Sequence, residues 1–184
     1  MSTTFILSKV KNILPAHIKL IIYNSLFRSH LEYCCVAWGG VSNKLISSLQ
    51  ILQKRALRYV ANTKANSHVN PLFLKYKQLN VKDMINSNLG IFMYHYNNSL
   101  LPNSFEDFFE KLQNHERHFC FKTNLIRSKS LTSFPSNMLP KFWNSLDLKI
   151  KRYSSLNSFK NNLMQHFHSK NYIMCKDKNC YSCT

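Results

Sequence analysis

Between Leu14 and Trp38 the chain reads LPAHIKLIIYNSLFRSHLEYCCVAW, and the spacing of its apolar residues leaves little choice of local structure. Pro15 suits the first turn of a helix, where its missing N–H removes no bond. Ile18, Ile21, Ile22, Ser25 and Leu26 follow the i, i+3, i+4, i+7, i+8 recurrence of one helix face. Leu20, Tyr23 and Phe27 fall elsewhere on the circumference, so this helix is apolar nearly all round and is expected to be central. Breakers are rare elsewhere too, with three glycines and five prolines in 184 residues. Long helices with short connections follow from that scarcity. The expected fold is all-α: a compact bundle of amphipathic helices, an irregular linker and a cysteine-containing C-terminal tail.

Downstream, Ser42 and Asn43 can cap a helix over about residues 43–61. Leu45, Leu49, Leu52, Ala56 and Val60 recur along one of its faces, while Lys44, Lys54, Arg55 and Arg58 gather on the other. Asn70 can cap a helix with Pro71 in its first turn. Another helix is expected over about 81–97, with Met84, Ile85, Leu89, Phe92, Met93 and Tyr96 on one face. SFEDFFEKL (Ser104 to Leu112) opens with a capping-box pattern, Ser104 to Asp107, and its acidic residues suit a helix N-terminus. Residues 113–134 are polar, basic and weakly periodic, as befits a linker between a first domain (1–112) and a C-terminal segment (135–184). In the latter, Leu156, Phe159, Leu163 and Phe167 make a helical stripe that should fold back on the body.

Charge narrows the functional classes. Lys and Arg number 25 against 8 Asp and Glu, a formal net charge of +17. A field of that size attracts polyanions, and a basic stripe backed by an apolar one is the footprint of a helix along a phosphate backbone. From pattern alone, an ordinary solvated face explains the α-helical stripe equally well. Lys122, Arg127 and Lys129 in the linker would also be available to phosphates. No run of about 18 apolar residues is present to span a membrane, and the N-terminus lacks a signal-peptide layout. Cysteines are too dispersed for a secreted disulfide framework, so a reducing, intracellular setting is expected, in nucleus or cytoplasm.

Two groups of metal-ligating residue types stand out. His30, Glu32, Cys34 and Cys35 lie close in sequence, but adjacent cysteines serve one tetrahedral ion poorly, and packing explains them better. At the C-terminus Cys175, Cys180 and Cys183, with His168 upstream, could make a Cys3His zinc site. The alternative is a flexible tail with free thiols. No cofactor is otherwise required by any motif.

Several stretches together resemble one family. They are Leu14-Pro15 with the Leu20–Leu26 helix, HLEYC (His30 to Cys34), Trp38 with Gly39 and Gly40, and QKRALRYV (Gln53 to Val60). HVNPLFL (His68 to Leu74), FMYHY (Phe92 to Tyr96), Leu100 to Pro102 and the segment from Pro140 to Leu163 continue the likeness. The family is the reverse transcriptases of non-LTR retrotransposons, the jockey-like LINE polyproteins. The resemblance implies the thumb and the tail beyond it, with the 14–38 helix packing the thumb against the palm. It also tips the basic stripe toward template–primer or RNA, and makes the palm and fingers a candidate partner. Catalysis in that family uses a Tyr-x-Asp-Asp turn and an upstream Asp to hold two metals. Here the four aspartates (83, 107, 147 and 177) include no adjacent pair, so polymerase activity by this chain alone is expected to be absent. Two other readings remain open at this level: a functionless remnant with an orphaned apolar surface, and a small zinc-dependent interaction module.

Overall fold

The computed structural model describes residues 3–112, 120–123 and 133–171. Regular structure within them is helical, so the chain is all-α, with an isolated antiparallel bridge between Lys111 and Phe121. The helices are α1 (Thr3–Val10), α2 (Ala16–Tyr23), α3 (Ser29–Glu32), α4 (Cys35–Trp38), α5 (Asn43–Ala61) and α6 (Asn70–Lys75). After them come α7 (Val81–Asn97), α8 (Pro135–Ser145), α9 (Leu148–Lys151) and α10 (Leu156–Asn171). A π-helical turn, Asn24–Arg28, joins α2 to α3, and a 3-10 turn, Asn103–Phe105, follows α7. No helix of the described residues is long and apolar enough to cross a membrane.

The described chain divides into two compact units. One comprises residues 3–33, 42–84 and 166–171; the other comprises 34–41 and 85–165. In the first unit, α1 and α2 pack on α5 and on each other. The face that α5 buries is Ile46, Gln53, Ala56, Leu57 and Val60. That line is rotated from the expected one, because Leu45 is 55% exposed and Gln53 only 1%. A carboxamide is tolerated there because its Nε2 donates to the Tyr23 hydroxyl and to the Leu79 carbonyl, both at 2.9 Å. The helix over 16–23 is likewise not apolar-buried all round. Lys19 and Tyr23 are its buried residues, whereas Ile21 is 60% exposed. Lys19 can enter because its ammonium donates to the Lys11 carbonyl at 2.8 Å while its aliphatic stem is covered. Burial, reinforced by the neighbouring Lys11, lowers its pKa.

Helix ends in this chain use left-handed residues other than glycine. Asn62, Lys77 and Ser99 have φ of 55°, 50° and 53°. Each is followed by an amide that donates back to a carbonyl five residues earlier. These are Thr63 to Arg58 at 3.0 Å, Gln78 to Phe73 at 2.8 Å and Leu100 to His95 at 2.9 Å. At the other end, α7 starts with a reciprocal cap. Asn80 Oδ1 accepts from the Asp83 amide at 2.9 Å, and Asn80 Nδ2 donates to Asp83 Oδ2 at 2.8 Å.

The second unit is built on aromatic rings. Trp143, Phe159, Tyr94 and Phe121 are all 2% exposed or less. Tyr94 stacks on Phe159 at 4.7 Å, and its hydroxyl donates to the Ser154 carbonyl at 2.6 Å. Phe159 and Leu163 are buried along α10 in this unit, and Phe167, on the same line that the spacing predicts, is buried in the first. Gly90 permits the approach of α10 to α7, since a Cβ there would stand 3.0 Å from Leu163 and 3.2 Å from Phe142. Asn144 holds the 121 segment to α8. Its Oδ1 accepts from the Phe121 amide at 2.9 Å, and its Nδ2 donates to the Phe121 carbonyl at 2.7 Å.

One expected helix is absent. After the 3-10 turn, residues 106–112 form turns rather than a continuation of the Ser104 helix. The Tyr96 hydroxyl accounts for this. It accepts from the Phe109 amide at 2.9 Å and sits 2.8 and 3.0 Å from the Glu106 and Phe109 carbonyls, which a helix would have used itself.

Candidate nucleic-acid interface

Lys44, Lys54, Arg55 and Arg58 do share one side of α5. With Lys44 as origin and about 100° per residue, Arg55 lies about 20° away, Arg58 about 40° and Lys54 about 80°. The buried residues of the helix centre about 180° from Lys44 on the same count. From Lys44 to Arg58 the stripe runs about 21 Å along the axis. Lys44 and Arg55 are exposed, and Lys54 is half-buried. None of these three makes an ion pair with another described residue. Ile51, 58% exposed, sits within the same stripe, one turn before Lys54 and Arg55.

Arg58 differs from the other three. Its Nε donates to the Ser67 carbonyl at 3.0 Å, which ties the end of α5 to the connection leading to α6. Half-burial lowers its pKa from the ordinary 12.5. The guanidinium remains charged, but it also has a structural task. Lys122 is exposed and donates to Glu110 Oε2 at 2.8 Å, so a phosphate there would compete with a carboxylate. Arg127 and Lys129 lie outside the described residues.

Of the residues proposed for zinc, Cys175, Cys180 and Cys183 lie outside the described residues. His168 is engaged within the first unit, its Nε2 standing 3.1 Å from the Gln78 carbonyl. Among the described residues no group of three His, Cys, Asp or Glu side chains is placed to hold a metal ion. Around 30–35, Glu32 takes Arg28 at 2.8 Å, Cys35 is buried and Cys34 is exposed at a φ of 49°.

A cleft in the second unit is lined partly by Tyr96, Leu101, Pro102, Phe105, Glu106 and Lys111, from stretches that the sequence marks for family likeness or helix capping and not as a site. Its walls come from the end of α7 and from residues 101–111, stretches that no single periodicity connects. Compared with protein-family models, curated proteins and solved structures, the chain matches none.

Proposed function

We propose that this chain binds nucleic acid through the exposed basic face of α5, as the thumb and post-thumb part of a retrotransposon reverse transcriptase would. The observation that carries the reading is the set Lys44, Lys54 and Arg55. These cations lie on one face of a well-formed helix and have no ion-pair partner among the described residues. Charges left uncompensated in this way release counterions when phosphates take their place, which makes affinity salt-dependent. A formal charge of +17 adds the long-range attraction. The palm and fingers of the same polymerase are the partner this reading implies. The exposure of Ile21 on α2 leaves an apolar residue available to such a neighbour.

The test is the salt dependence of binding to labelled duplex DNA and RNA. Replacing Lys44, Lys54 and Arg55 by Gln should reduce the slope of log K against log salt by about 0.9 per lost contact on a duplex. The far-ultraviolet circular dichroism should not change, because all three project away from the packed face. An unchanged slope would overturn the assignment.

A further inference from the structure

The second unit contains a cleft of about 250 Å³ whose chemistry is unlike that of the α5 face. Phe105 forms part of its wall, held edge-on to Phe92 at 5.9 Å, and Tyr96 closes another side. Polar residues line the same space: Ser99, Asn103, Glu106 and Lys111. Glu106 and Lys111 carry opposite charges, yet they form no ion pair with each other or with another described residue.

The walls are fixed. Tyr96 pins the 106–109 backbone through the three contacts of its hydroxyl. Ser99 is locked in the left-handed conformation that closes α7, with the Leu100 amide bonded to the His95 carbonyl. Lys111 is anchored by its bridge to Phe121. Such a site is formed before a ligand arrives, which lowers the ordering cost of binding.

We propose that this cleft takes a single unpaired nucleotide, with the base in the space beside Phe105 and the phosphate on Lys111. An aromatic wall offers a stacking surface to any base. Asn103 presents both a donor and an acceptor to a base edge, and Glu106 accepts from an exocyclic amino group. Lys111 supplies one cation for a phosphate, and Phe105 one ring surface for a base. A duplex, by contrast, would keep its bases stacked and out of reach. The inference rests on reading the chain as a nucleic-acid binder, but it concerns a separate surface and a different form of the ligand.

Saturation-transfer NMR with the four ribonucleoside 5′-monophosphates, and with ribose 5-phosphate as the base-free control, tests it on the full chain. Nucleotides are expected to bind with the strongest transfer at base protons, and ribose 5-phosphate at least about tenfold more weakly. Phe105→Ala should weaken nucleotide binding about tenfold. Asn103→Leu, at an exposed position, gives a second variant that does not disturb the Phe92 contact, and should alter the preference among bases. Nucleotide binding should persist when Lys44, Lys54 and Arg55 are replaced by Gln. Equal binding of ribose 5-phosphate, loss of binding in that α5 variant, or no binding of any nucleotide up to about 10 mM overturns the proposal. If duplex binding keeps its salt slope in the α5 variant while mononucleotides still bind in the cleft, the α5 reading fails and the cleft stands.

Discussion

The two units solve the problem of a small core differently. In the first, polar side chains are carried inside and held by directed bonds, Gln53 through its Nε2 and Lys19 through its ammonium. Gln53, Lys19 and Thr4 are 8% exposed or less, while Phe5, Ile13, Ile21, Leu45 and Ile51 remain at the surface. The second unit gathers Trp143, Phe159, Tyr94, Tyr96, Phe109 and Phe121 into edge-to-face and stacked contacts, with few polar groups among them. Aromatic pairs add to area burial, and the phenylalanine rings among them require no hydrogen-bond partner. A buried carboxamide has no such latitude. The difference teaches that the first unit centres on a buried carboxamide, whereas the second fills space with rings and sets its directional bonds at the Tyr94 and Tyr96 hydroxyls and at Asn144.

Trp143→Ala attacks the aromatic side of this contrast and should have the largest effect. Its indole is fully buried against Phe159, with the Lys151 ammonium 5.9 Å from the ring centre. Truncation should cost about 3–5 kcal/mol in urea unfolding. Separate loss of the second unit's aromatic circular dichroism would sharpen the contrast, and a single shifted transition would show the two cores to be energetically one.

On the polar side, Tyr23 supplies a pH test. Burial raises its pKa from 10.0 to about 12, against a smaller lowering by the Gln53 hydrogen bond. The folded state therefore holds its proton after the unfolded chain has lost it. The resulting stability is complete below pH 10 and disappears as pH rises through about 12. The loss should reach about 2–3 kcal/mol. Tyr23→Phe should flatten that part of the stability–pH curve; an equally steep curve in the variant would remove Tyr23 as its cause.

Gln53→Ala comes next, at about 2 kcal/mol, because it strands the Leu79 carbonyl and the Tyr23 hydroxyl. Equilibrium unfolding measures it, and a cost under about 0.5 kcal/mol would make the first unit as forgiving as the second. The smallest change should be a gain. Lys77→Gly relieves a left-handed residue at an exposed helix end and should stabilise by up to about 1 kcal/mol. A loss there would mean that the lysine side chain contributes more than its backbone conformation costs.

Much of this architecture was legible in the sequence, for physical reasons that also explain the failures. The limits of α5 and α7, and the Phe159–Leu163–Phe167 line, follow from repeated apolar spacing over many turns. Gln53 was not legible as a core residue because its entry depends on Tyr23 and Leu79, 30 and 26 residues away. Lys77 and Ser99 gave no stop signal because neither is the glycine or asparagine that usually marks a helix end. The Ser104 pattern is a real local preference overridden by one distant hydroxyl, that of Tyr96. On α5 the charged stripe was visible from spacing, whereas the anchoring of Arg58 by Ser67 required the fold of the connection after the helix.

The interleaved order of the two units also bears on synthesis. The first unit includes residues 166–171, so it cannot be completed until the ribosome has delivered all of the second. Lys19, Tyr23 and Gln53 have their partners once residue 79 is made, whereas the Gln78 carbonyl must wait for His168, 90 residues later. Neither half of the chain emerges as a finished body, and nascent-chain protection is expected to rise late and for both units close together.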